Sequence, residues 1–180
     1  MPELAVSLAV MLILTAIAIP SLMRSFRTYQ LNDAAGRLSD QLKFTRFEAV
    51  RRNTPVNFLM LQTGPDWLVG TDSNNNGSFD PLEKQLFIGG FVSLLPAGGL
   101  PSSASITATL GGAGALTIKS GAVGTVTFDA RGAVSPLAAD IFYLGSAASP
   151  EFGYRAVILL PSGAVQIWTA PAGGPWQRIG

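Results

Sequence analysis

Leu4 to Met23 reads LAVSLAVMLILTAIAIPSLM, twenty residues without a charge. As an α-helix this run is about 30 Å long, the thickness of a bilayer's hydrocarbon core. It exceeds the roughly 7–15 apolar residues of a secretory signal peptide, and no basic residue precedes it. A cleaved signal peptide is the competing reading, but the helical register continues beyond Met23 without an evident cleavage site. Glu3 stands at the head of the run and Pro20 near its end. Glu3 reads either as an interfacial residue or as a buried charge in need of a partner. Pro20 removes one backbone hydrogen bond and should kink or loosen the helix locally.

Beyond Pro20 the pattern turns amphipathic. Leu31, Ala34, Ala35, Leu38, Leu42, Thr45, Ala49 and Val50 recur at spacings of three and four, with charges on the opposite face. Gly36 is a weak interruption, and Asn53-Thr54-Pro55 ends the helix, since the residue before proline leaves the α region. The expectation is one helix of roughly fifty residues, about 75 Å long, half of it outside any globule. Residues 1–23 form its transmembrane half, 24–54 its amphipathic half, and 55–180 a head.

Charge follows the same division. Residues 24–52 carry seven basic side chains against three acids, and 53–180 carry five against seven, within a net charge of +1. Arg24 and Arg27 follow the apolar run and no Lys or Arg precedes it. Read literally, the positive-inside rule puts the head in the cytoplasm; otherwise a basic leader lies upstream. Cysteine and histidine are both absent. That excludes disulfides, thiolate metal sites and His-based nucleophile pairs.

The head reads as short strands between Gly, Pro, Ser and Asn. Candidates are Val56–Gln62, Trp67–Thr71, Gln85–Leu95, Ser105–Leu110, Ala115–Lys119, Thr125–Asp129, Asp140–Leu144, Tyr154–Leu160, Ala164–Thr169 and Trp176–Ile179. Ser105–Leu110 alternates clearly, with Ile106, Ala108 and Leu110 on one side. Residues 96–124, rich in Gly, Ala, Ser and Pro, read as loop or edge, and Pro161-Ser162-Gly163 as a hairpin turn. The fold class is α+β: a long N-terminal helix packed on a C-terminal antiparallel β-sheet or β-sandwich head.

Asp72 to Glu83, DSNNNGSFDPLE, fits the calcium-loop pattern D-x-[DN]-x-[DN]-G-x₅-E. Asp72, Asn74 and Asn76 would supply side-chain oxygens, Ser78 its carbonyl, Asp80 a water-mediated contact and Glu83 two oxygens. The same residues also suit a solvated Asx-rich turn. No helix is expected on either side, so this is not an EF-hand.

Three features converge on a family. The glutamate–proline spacing in the N-terminal helix resembles the class III signal and transmembrane helix of type IV pilins and pseudopilins. Thr45-Arg46-Phe47-Glu48-Ala49-Val50-Arg51-Arg52-Asn53-Thr54-Pro55-Val56 resembles the helix-end motif of the GspH/FimT minor pseudopilins, A-R-x-E-A-I-R-R-N-x-x-V. The Trp67 strand, the Asp/Asn loop, Phe128-Asp129-x-x-Gly132 and the Leu160–Gly163 segment resemble the family's head. The resemblance implies a structural subunit of a type IV pilus or type II secretion pseudopilus. Such a subunit is anchored once in the bacterial inner membrane with its head outside the cytoplasm, then joins an extracytoplasmic filament. Glu3 would compensate the N-terminal ammonium of a neighbouring subunit, and Pro20 would loosen the helix where subunits pack. Partners would be other pilin or pseudopilin subunits, the lipid bilayer before assembly, and a prepilin peptidase if a leader exists upstream. The family's mature start and leader are not visible before Glu3, so the expectation is that the precursor begins upstream.

A major pilin is the alternative within this class, and a DNA-binding minor pilin for DNA uptake the alternative outside it. The stalk's basic residues could meet phosphate, but they are spread around a packed helix, so nucleic acid is not expected. An enzyme is not expected either. Asp80 with Glu83, and Asp129 with Asp140, are the only carboxylate pairings the sequence suggests, and nothing in it positions them. Calcium is the single cofactor suggested.

Overall fold

The computed structural model describes residues 2–111, 116–119 and 123–179. The first residue of the span 1–23, Ala115, parts of the 96–124 stretch and the last residue of the head lie outside them. One helix, α1 (Pro2–Arg52, 51 residues), runs unbroken through Pro20 and Gly36. Every described side chain from Glu3 to Phe26 is exposed; burial begins at Leu31. From there Leu31, Ala35, Leu38, Leu42, Thr45 and Ala49 are wholly buried. They recur every four or three residues, so they share one face of the helix. Ala34 lies at the edge of that face and Val50 outside it, exposed. Asn53 ends the helix with a φ of 52°, a left-handed conformation Asn tolerates.

The head holds two sheets. The first contains β1 (Val56–Thr63), β2 (Asp66–Asp72), β3 (Gln85–Ile88), β6 (Val123–Phe128) and β7 (Val134–Ser135), in the order β3-β2-β1-β6-β7. The second contains β4 (Ser93–Leu95), β5 (Leu116–Ile118), β8 (Ala139–Gly145), β9 (Tyr154–Leu159), β10 (Val165–Ala170) and β11 (Gln177–Arg178). Its order is β11-β10-β9-β8-β4. All pairings are antiparallel except β5, which adds parallel to β8 with Leu116 opposite Ala139. The first sheet's inner residues include Phe58, Met60, Val69 and Phe128; the second sheet's include Phe142, Leu144, Val157 and Leu159. All of them form one core with the buried face of α1. Phe58 and Phe142 meet edge to face across the two sheets, with centroids 5.9 Å apart.

β8 and β9 are buried along their entire lengths. Their outer face carries a second core: Ile141, Tyr143, Ala156 and Ile158, covered by Ile106, Trp168 and Trp176. Burial on both faces explains why these strands read as continuous apolar runs rather than alternating ones. It also explains the main correction to the expected strands. Ser105–Leu110 is not a strand but lies in a short helix, α2 (Ala104–Thr109). Ile106 and Leu110 share a face both at period two and at the helical i, i+4 spacing. The second core needs only Ile106 wholly buried and Leu110 against it, and Ala108 stays exposed. The single strand expected over Gln85–Leu95 is two. The chain leaves the first sheet at Gly89-Gly90 and joins the second at Ser93. Gly90 has a φ of 76°, and its N–H donates to Asp66 Oδ1 at 3.0 Å. β7 was not foreseen.

Leu38 sits at the middle of the shared core. Leu38→Ala should cost about 2–5 kcal/mol and be read as a lower denaturation midpoint by near-UV circular dichroism.

Candidate functional site: the apolar stalk, its clamp and the acidic loop

The free half of α1 offers its surroundings little except hydrocarbon and one charge. Ser7 Oγ donates to the Glu3 carbonyl at 2.9 Å, Thr15 Oγ1 to Met11 and Leu12 carbonyls at 2.9 Å, and Ser25 Oγ to Ser21 at 3.2 Å. These hydroxyls satisfy themselves on the helix backbone, as they must in a low-dielectric setting. Leu8, Leu12, Ile19 and Leu22 are all more than half exposed. Such a length of apolar surface needs a cover. Glu3 heads it, with no ion-pair partner among the described residues. Pro20 lies seventeen residues along.

At the other end, the helix is locked to the head by polar contacts inside the core. Gln41 Nε2 donates to Thr71 Oγ1 at 3.0 Å and to the Lys84 carbonyl at 2.9 Å. Thr45 Oγ1 lies 2.7 Å from Thr71 Oγ1. Arg46 Nε donates to the Gly132 carbonyl at 3.1 Å. A side-chain carbon at Gly132 would crowd Arg46, and one at Gly163 would strike the Gly132 carbonyl; both glycines also have positive φ. The turns at 129–133 and 160–164 therefore close together around one arginine, with Val134 N–H donating to the Pro161 carbonyl at 2.9 Å. Glu48, almost buried, takes Arg51 at 2.7 Å and Arg52 at 3.0 Å, and Arg52 reaches the Ser73 carbonyl at 3.4 Å. The Arg51 guanidinium, with help from Arg52 and against burial, holds the Glu48 carboxyl below the usual carboxylate range.

The acidic loop closes on itself. Asp72, wholly buried, accepts the Asn76 N–H at 3.1 Å and the Gly77 N–H at 2.9 Å on its two oxygens. Asn74 and Asn76 accept the N–H groups of Asn76 and Ser78, and both donate their amides to Asp80 Oδ2, at 2.6 and 3.2 Å. Glu83 accepts Ser73 N–H at 2.6 Å, Ser73 Oγ at 2.9 Å and Asp80 N–H at 3.0 Å. Burial pushes the Glu83 carboxyl up, but hydrogen bonds from Asp80, Ser73 and Asn74 outweigh it and hold it low. Asn75, with a φ of 58°, ties the loop to Pro55 and Asn57 at the start of β1. The structure thus gathers Asp72, Asn74, Asn76, Asp80 and Glu83 in one loop, with Ser78 at its exposed edge. Its oxygens are spent on the loop's own N–H groups, Asn74 and Asn76 turn their amide nitrogens toward Asp80, and among the described residues no three acidic side chains converge closely enough to hold a metal ion.

The other carboxylates are used separately. Asp129 Oδ1 accepts the N–H groups of Arg131 and Ala133, both at 2.8 Å, and shapes its own turn. Asp140 pairs with Lys119 at 3.6 Å, and burial raises its carboxyl above the ordinary range despite that partner. Sequence reasoning missed Arg155. It lies buried on β9, donating to Asn32 Oδ1 at 2.7 Å and the Tyr154 carbonyl at 2.9 Å, with burial lowering its pKa.

Residues 34–163, which hold the clamp, the loop and both glycine turns, match the family model described as type II transport protein GspH. The chain belongs to the GspH family. The family is thus one of type II transport proteins. Two crystal forms of the Pseudomonas aeruginosa type IV minor pilin FimU share the fold. One gives a TM-score of 0.51 at 18% identity, covering 80% of this chain and 90% of FimU; the other gives 0.50 at 20%, covering 79% and 94%. No curated protein sequence matches the chain significantly.

The sign of the Glu48 effect follows from its lowered pKa. Its stabilisation is complete above the unfolded carboxylate value near 4.3 and is lost as pH falls through the lower folded value. Glu48→Gln should lower the Tm at pH 7 by about 2–4 °C. In a thermal series from pH 7 to 2, the gap from the unaltered protein should close at the acid end.

Proposed function

We propose that this GspH-family subunit is a minor component of a type IV pilus or type II secretion pseudopilus, incorporated through α1. One observation carries the reading: an exposed apolar rod of bilayer length is continuous, without a hinge loop, with a helix locked into the head. Before assembly the bilayer covers the rod, with the head outside the cytoplasm; afterwards the rods of neighbouring subunits do. An unpaired charge at the head of such a rod is costly in hydrocarbon and gains by meeting an opposite charge on a neighbour. Glu3 holds that position. The same reading gives the chain no catalytic step: of the carboxylate pairings suggested by the sequence, Asp80, Glu83 and Asp129 shape their own turns and Asp140 pairs with Lys119.

The test is incorporation. Glu3→Ala should reduce the amount of this chain in purified filaments at least tenfold, with the head's Tm unchanged. Incorporation equal to that of the unaltered chain would refute the role of Glu3.

As a second reading, we propose that the Asp72–Glu83 loop takes calcium. The supporting observation is that Asp72, Asp80 and Glu83 share one loop while no basic side chain forms an ion pair with any of them among the described residues. Half-turns of the Asn74 and Asn76 amides would present oxygens in place of nitrogens, provided the Asn76 and Ser78 N–H groups that those oxygens now accept swing away as the ion enters. Calorimetry of the full chain in detergent should show calcium binding that Asp72→Ala abolishes; no heat at millimolar calcium rejects the site.

A further inference from the structure

The first residues beyond the apolar rod line a cavity that assembly through α1 does not require. Arg24 and Thr28 of α1, with Glu151 and Phe152 of the short 3₁₀ turn Pro150–Phe152, line an open pocket of about 240 Å³. Arg24 and Thr28 are four residues apart and so lie on the same helix face. The Phe152 wall is braced: its ring meets Phe91 edge to face at 5.5 Å. The Arg27 guanidinium lies over that same Phe91 ring at 4.2 Å and donates to Gln30 at 3.0 Å. Arg27 is thereby engaged elsewhere. Arg24 and Glu151 are not: neither forms an ion pair with the other or with any other described residue.

Two opposite charges that line one pocket beyond ion-pair distance of each other complement a ligand whose own charges are separated. The height of the cavity says which. With Leu4–Met23 in the hydrocarbon core, Arg24 stands at its boundary and Thr28 about 6 Å farther out. The headgroup layer on each side of a bilayer is about 5–8 Å deep. The cavity therefore opens at the level of the lipid phosphates and amines.

We propose that this cavity binds the headgroup of phosphatidylethanolamine, with the phosphate on Arg24 and the Thr28 hydroxyl and the ammonium on Glu151. The inference rests on the membrane-anchored reading above. Arginine is the side chain best suited to a phosphate, and a primary ammonium donates charge-assisted hydrogen bonds to a carboxylate. A choline ammonium has no N–H to donate. A glycerol headgroup has no positive charge, so Glu151 would be left without a partner beside the phosphate on Arg24.

The experiment uses the full chain in detergent micelles, each doped with one lipid: phosphatidylethanolamine, phosphatidylcholine or phosphatidylglycerol. Lipid retained by the protein is counted by native mass spectrometry. At least fivefold more phosphatidylethanolamine than either other lipid is expected. Glu151→Gln should erase that preference and admit phosphatidylglycerol, while Arg24→Gln should lower retention of all three. Both residues are exposed, so the variants should keep the unaltered Tm. Equal retention of phosphatidylethanolamine and phosphatidylcholine, or a preference that survives Glu151→Gln, overturns the proposal. In parallel, alkaline extraction of vesicles carrying the chain reports on anchoring. A chain that stays in the vesicles but shows no lipid preference sinks the headgroup site alone, whereas a chain washed out of them sinks the anchored reading as well.

Discussion

Everything in this molecule depends on one helix being used twice. The face formed by Leu31, Ala35, Leu38, Leu42, Thr45 and Ala49 is buried against both sheets of the head. Without it, the inner faces of the two sheets would lose the apolar partner that Leu31, Ala35, Leu38, Leu42 and Ala49 supply to their common core. With it, the rest of the helix is carried outward as a rigid extension, because a helix that is locked over its last five turns transmits its direction to the free turns. Apolar burial sets the amount of this attachment; the polar clamp sets its register.

That register is what the helix-end motif encodes. Arg46 reaches the Gly132 carbonyl, Glu48 gathers Arg51 and Arg52, and Thr45 and Gln41 meet Thr71 inside the core. A slide of the helix by one residue would break all of these together and leave buried polar groups unpaired, which costs more than any single lost bond. The acidic loop adds to the same junction, since Asn75 holds Pro55 and Asn57 and Arg52 holds Ser73. The helix is thus tied to the head by hydrogen bonds as well as by packing.

The same architecture accounts for how its carboxylates are used. Carboxylates that could pair in sequence are spent on geometry: Asp129 on its turn, Glu83 and Asp72 on the loop, Glu48 on the helix end. The buried Arg155 holds Asn32 and so anchors α1 near the point where it leaves the head. Charge in this protein mostly positions backbone.

The sequence alone determined the stalk, the amphipathic half and where the helix ends. Those features arise from runs and periods within a single element, where each residue's environment depends on neighbours a few positions away. Eight of the ten expected strands were placed to within a few residues for the same reason, since short apolar runs between turn residues are local signals. Tertiary structure decided the rest. Ile106 and Leu110 fit a strand and a helix equally well, and only the second core beneath them selects the helix. Gly89-Gly90 splits one apolar run into two strands because the two sheets diverge there. Arg155 looked like a strand residue of no note; its burial beside Asn32 joins positions 123 apart in the chain. Gly132 and Gly163 were visible as a family pattern, but their reason, a shared arginine from α1, is a contact between three distant segments. A sequence states what each segment prefers, and which segment it meets is settled by packing.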